Sequence, residues 1–207
     1  MSKSATIQQI IASKMIVIIR LGEQKLVPQI IRKVIAAGVK VLEITTNTPG
    51  FTEELANARE QYPEIIIGAG SVYTAELAEL AIMHGAQFLV TPNTNVEVIQ
   101  VAHSQQIPVL MGAFTPTEVA IAIRYEADFI KLFPASIFGP DYLKALRGPF
   151  DQARFIAVGG INETNVLQWM EAGAIGVGVG GSLINGSPES LSSRIQTLIE
   201  KLKSHVG

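Results

Sequence analysis

Short apolar runs alternate along the chain with longer stretches in which apolar residues recur every three or four positions. The short runs fall at residues 15–20, 39–45, 65–70, 88–91, 109–112, 128–134, 154–158 and 174–179. Each reads as a strand, and the 128–134 run, apolar on both faces around one lysine, has the pattern of a parallel strand covered on both sides. Between them the period changes to that of a helix. Residues 24–37 place Val27, Ile30, Ile31, Val34 and Ile35 on one face, and Gly38 stops the run. Further helices are predicted over 49–62 (opened by Pro49), from a Thr74 cap to His84, and over 96–105, 117–126, 140–146, 163–172 and 188–203. A leading helix over 4–13, with Ser4 as its N-cap, precedes the first strand.

Strand–helix units spaced about 20–25 residues apart predict an α/β protein, a (β/α)8 TIM barrel, with a short N-terminal helix. An open doubly wound sheet would want a glycine-rich turn after the first strand, and Arg20-Leu-Gly22 is no such turn. With 207 residues and no linker-like stretch, the chain reads as a single domain over 1–207.

Composition narrows the function. The chain is 48% hydrophobic, carries a formal net charge of −2, and has no block of Lys and Arg. A nucleic-acid or anionic-membrane partner therefore lacks electrostatic support. There is no cysteine, so neither disulfides nor thiolate chemistry are available. The first ten residues are polar and amphipathic, and no apolar run reaches the roughly 18 residues of a spanning helix. The expected location is cytoplasmic.

The candidate chemistry centres on Lys131. In its strand Phe129, Lys131 and Phe133 share one face and Ile130 and Leu132 the other, so the lysine sits in apolar surroundings. Burial disfavours the ammonium form and frees the amine to attack carbonyls as a Schiff-base former. The plainer alternative is a lysine that reaches out to the rim or pairs with a carboxylate. Active sites of this fold form at the C-terminal ends of the strands. Glu43 is the one carboxylate among those positions, suited to acid–base work or to neutralising Lys131 or Lys40. Asp128 lies at the opposite end of its strand and reads as structural. His84, His103 and His205 fall on helices or the tail, leaving no His/carboxylate cluster to hold a metal. Neither metal nor cofactor is expected.

Gly159-Gly160 and Gly180-Gly181-Ser182 follow the seventh and eighth strands, where this fold usually binds phosphate. Glycine there lets backbone N–H groups approach an anion. Tight turn geometry is the competing explanation.

These residues carry a resemblance. Leu42-Glu-Ile-Thr45, Ile67-Gly-Ala-Gly-Ser-Val72, Val90-Thr-Pro-Asn93, Ile130-Lys-Leu-Phe-Pro134, Phe138-Gly-Pro140, Val158-Gly-Gly-Ile161 and Val179-Gly-Gly-Ser182 span nearly the whole chain. Together they resemble the class I aldolases of 2-keto-3-deoxy-6-phosphogluconate, with the overlapping 4-hydroxy-2-oxoglutarate aldolases. The resemblance implies Lys131 as the Schiff-base lysine and Glu43 as acid and base. It implies Arg20 and Ser71 near the substrate carboxylate, and Pro92 and Phe133 against the pyruvyl group. Gly159, Gly160, Gly180, Gly181 and Ser182 match the phosphate site. The implied ligands are a small phosphorylated 2-keto acid and pyruvate, and the implied assembly is a homotrimer.

Three positions depart from that pattern. Ser71 replaces a usual threonine and keeps the hydroxyl. Asn47 stands where an arginine is usual, and Val158 where a threonine is usual. Both look more like the branch acting on 2-keto-3-deoxy-6-phosphogalactonate, so Asn47 is a candidate substrate contact. The gluconate and galactonate isomers stay open. So do another phosphate-binding barrel, such as an epimerase or synthase, and a non-catalytic sugar-phosphate binder.

Overall fold

A computed structural model describes residues 2–184 and 190–205. Eight parallel strands close a barrel in sequence order: β1 (Met15–Ile19), β2 (Val41–Thr45), β3 (Ile66–Gly70), β4 (Leu89–Val90), β5 (Val109–Ala113), β6 (Phe129–Leu132), β7 (Phe155–Val158) and β8 (Gly176–Val179). The helices are α1 (Lys3–Ser13), α2 (Val27–Ala36), α3 (Phe51–Gln61), α4 (Ala75–Met83), α5 (Val96–Ser104), α6 (Pro116–Arg124), α7 (Pro140–Arg147), α8 (Val166–Glu171), α9 (Gly181–Ile184) and α10 (Leu191–Ser204). The expected (β/α)8 architecture and its leading helix are both present. Among the described residues no helix is long and apolar enough to cross a membrane.

The strands are apolar on both faces because each has two apolar neighbours. Outward residues such as Val17, Leu42, Ile44, Ile67 and Val177 pack against the helices. Inward residues Ile16, Val41, Ile66, Phe88, Leu110, Phe129 and Ile156 fill the barrel. Ile7, Ile10 and Ile11 of α1 pack beneath them and plug the N-terminal end. Asp128 anchors that plug: its carboxylate lies 2.9 Å from Lys3 Nζ and 3.1 Å from His103 Nε2, and accepts the Val109 N–H at 2.9 Å. The structural reading of Asp128 holds.

Several boundaries differ from expectation for local reasons. Ser2, not Ser4, caps α1, accepting the Ala5 N–H at 3.3 Å. Pro49 does not open α3, because Gly50 follows it at φ +69 and the helix starts at Phe51. α6 begins one residue early because Thr115 and Glu118 form a capping box. α8 starts late because Asn162 Oδ1 takes the Thr164 N–H and Asn165 Oδ1 takes the Asn162 N–H, diverting the backbone from the helix. α9 was not expected. Pro188, the expected start of the last helix, lies outside the described residues.

Candidate active site

The register brings the candidate chemistry to the C-terminal mouth. Glu43 pairs with Ile18 on one side and Gly68 on the other, and Lys131 sits between Gly112 and Ile156. Both side chains point into the barrel. Glu43 is 2% exposed and Lys131 4%, so each is a titratable group in an apolar shell. They line one cavity of about 290 Å³ with Arg20, Phe133, Gly159, Gly160, Gly180, Gly181 and Ser182.

Burial drives the Lys131 amine below the ordinary lysine range; the Glu43 charge opposes this and the Arg20 charge adds to it. Burial raises the Glu43 carboxyl above the ordinary carboxylate range, against the pull of Lys131 and Arg20. Among the described residues neither group forms an ion pair within 4.0 Å. Glu43 is therefore not used up as a direct counter-ion, and Lys131 does not reach out to solvent. The Phe133 ring centroid lies 4.8 Å from Lys131 Nζ, a cation–π distance that holds the amine beside an apolar face. A buried amine and a buried carboxyl, both biased toward neutrality in one pocket, can attack a carbonyl and move protons beside it.

Arg20 stands at the rim, and its Nη2 donates to Ser71 Oγ at 3.0 Å. Ser71 has φ +57, a left-handed conformation costing a residue with a Cβ roughly 1–2 kcal/mol. It borders the site through Arg20 without lining the cavity. Asn47 and Pro92 also lie outside the lining. Asn47 is exposed just beyond β2, and the Pro92 backbone crosses over Gly112. Lining residues that carried no signal as site residues in the sequence are Ile18, Ile161 and Gly178, apolar or glycine positions indistinguishable there from core.

The two glycine loops differ in kind. Gly159 and Gly160 have φ +109 and +73, so turn geometry demands glycine at both. Asn165 Nδ2 donates to the Gly160 carbonyl at 2.9 Å and holds that turn. Gly180 is favoured by proximity instead: a Cβ there would lie 3.1 Å from Ile18 Cβ, a contact that Ile18 would have to yield to by a few tenths of an ångström. Ser182 Oγ donates to the Ile161 carbonyl at 2.6 Å, tying the loop after β8 to the loop after β7. Leu183 and Ile184 donate their amides to the Gly180 carbonyl at 2.8 and 3.0 Å, so among the described residues the Gly181 and Ser182 amides are the first-turn donors left for an anion. Among the described residues no group of three or more His, Cys, Asp or Glu is placed to hold a metal ion.

Residues 7–197 match the family described as KDPG and KHG aldolase. The chain is 39% identical over 153 residues to the 2-dehydro-3-deoxy-6-phosphogalactonate aldolase of Escherichia coli K12, covering 72% of this chain and 74% of that one. A solved structure described as native KDPGal superposes with a TM-score of 0.86 at 32% identity, over 91% of this chain and 94% of that one. The KDPG aldolase of Legionella pneumophila, with pyruvate captured as a covalent carbinolamine, superposes at 0.79 with 27% identity, over 98% and 96%.

Proposed function

The chain belongs to the KDPG and KHG aldolase family, and from that premise we propose that it reversibly cleaves a 2-keto-3-deoxy-6-phospho-aldonate to pyruvate and glyceraldehyde 3-phosphate, with Lys131 as the Schiff-base nucleophile. The observation that carries this reading is the pairing of two buried groups, Lys131 and Glu43, in one cavity bordered by the glycine loops.

The unprotonated Lys131 amine adds to the C2 ketone, and loss of water from the carbinolamine leaves a protonated imine. Glu43, as carboxylate, takes the C4 hydroxyl proton, directly or through a water. The C3–C4 bond breaks, its electron pair passes into the imine, and the aldehyde departs from an enamine of pyruvate. Glu43 returns its proton to C3, and water hydrolyses the imine to free pyruvate and the amine. Phe133 flanks the pyruvyl group, Pro92 backs the site from its place over Gly112, and Arg20, held by Ser71, takes the carboxylate. Gly159, Gly160, Gly180, Gly181 and Ser182 hold the phosphate.

The galactonate isomer is a substrate at least as good as the gluconate isomer. In support, the E. coli relative above is named for phosphogalactonate, and Val158 lines the cavity where the resemblance has threonine. The working unit is a homotrimer of one-domain barrels. Ile137 and Phe138, 61% and 59% exposed beside the mouth, are apolar surface of the kind a neighbouring protomer covers.

The test is reduction with borohydride in the presence of pyruvate. Intact mass should rise by one reduced pyruvyl group, mapping to the peptide containing Lys131. A Lys131→Met variant that still labels, or keeps full turnover, would refute the assignment.

A further inference from the structure

Thr46, the first residue beyond β2, spends both its N–H and its hydroxyl on the end of β3. The N–H donates to the Gly70 carbonyl at 2.8 Å, and the hydroxyl donates to the Ser71 carbonyl at 2.8 Å. One residue thus grips two successive carbonyls at the point where the chain turns into the left-handed conformation of Ser71, φ +57. Such a conformation persists where surrounding contacts over-determine it. Ser71 Oγ is in turn the one hydrogen-bond partner of the Arg20 guanidinium among the described residues. Arg20 is a long, exposed side chain that would otherwise sweep across the mouth.

We propose that Thr46 is a positioning residue: its hydroxyl, through the Ser71 backbone, sets where the Arg20 guanidinium meets the carboxylate of the keto acid. The inference rests on the reading of Arg20 as that carboxylate's partner. The two grips are chemically separable. Thr46→Val removes the bond to Ser71 and leaves the N–H bond to Gly70, so the Glu43 side of the site is undisturbed. The loss then falls on binding of the carboxylate and not on the chemical step.

The experiment measures KM and kcat for exchange of the pyruvate methyl protons in the full chain, with active sites counted by borohydride trapping. Thr46→Val should raise the pyruvate KM about 3- to 10-fold, the scale of one hydrogen bond, with kcat within about 2-fold. Thr46→Ser, which keeps the hydroxyl, should restore KM. Arg20→Gln should raise KM at least as far, and Thr46→Val should add nothing in that background. An unchanged KM in Thr46→Val beside a raised KM in Arg20→Gln overturns the inference and leaves the reading of Arg20 standing. An additive double variant overturns it too, because the effect would not run through Arg20. An unchanged KM in Arg20→Gln overturns the reading of Arg20 itself. KM does not depend on the folded fraction, so a less stable valine variant still decides the question.

Discussion

The Glu43 carboxyl group occupies the space above Gly70: a Cβ on Gly70 would stand 1.6 Å from Glu43 Oε1 and 2.2 Å from its carboxyl carbon. β3 therefore leaves an interior position vacant so that the carboxyl of β2 can lie across it. The vacancy and the buried acid are one feature written on two strands.

Gly70→Ala should displace the Glu43 carboxyl without touching Lys131. Turnover should fall about 10²-fold, the scale of a catalytic group moved by an ångström. Pyruvate trapping on Lys131 should persist, and circular dichroism should report an intact fold. Near-normal kcat in this variant would show that the location of Glu43 against Gly70 is not what the chemistry requires.

Trapping rate should rise with pH as the Lys131 amine loses its proton, with a midpoint below the ordinary lysine value of about 10.4. The sign of each neighbour's effect follows from its charge. The Glu43 carboxylate favours the ammonium, so Glu43→Gln moves the midpoint to lower pH. The Arg20 guanidinium disfavours it, so Arg20→Gln moves the midpoint to higher pH. Initial rates of adduct formation across pH give both shifts; a reversal of either would mean that Lys131 does not feel these charges as placed.

Gly181 opens α9 and is exposed at the rim, whereas a side chain at Gly160 is penalised by its φ of +73 and by contact with Ser136. If the loop holds the phosphate as proposed, Gly181→Val should raise KM for the phosphorylated sugar acid about 10-fold or more and that for pyruvate less than about 2-fold. Equal changes for both would assign the loop to packing alone.

Asn47 is short, neutral and both donor and acceptor, whereas arginine is a fixed cation with a longer reach. The wild-type protein should cleave the galactonate isomer at a rate comparable to or better than the gluconate isomer. Asn47→Arg should move the ratio of kcat/KM toward gluconate. Side-by-side turnover on the two isomers measures it, and an unmoved ratio would transfer the preference to a lining residue such as Val158.

Much of the fold and of the mouth is legible in the sequence. A strand covered on both faces writes an unbroken apolar run, so a lysine inside one, or a lone carboxylate at a strand end, stands out against it. Lys131 and Glu43 were visible for that reason. The bond from Arg20 to Ser71 was not, because it joins residues 51 apart in the chain and depends on barrel closure. Nor was the role of Gly70, whose meaning lies in the side chain above it. α9 has four residues, too few to show a period, and the late start of α8 is set by asparagine side chains competing for the backbone. Asn47 and Pro92 rested on resemblance, and neither lines the cavity.

α1 and its tether at Asp128 give the plugged barrel a further meaning. With the N-terminal end closed, both fragments of the proposed reaction share the mouth at the strand C-termini. On that reading the three-carbon piece stays bonded to Lys131 after the C3–C4 bond breaks, so the aldehyde phosphate leaves first and pyruvate last. Pyruvate should then inhibit cleavage competitively and the aldehyde phosphate non-competitively. In the synthetic direction the same covalent bond makes pyruvate the first to load, and its partner follows through the same mouth.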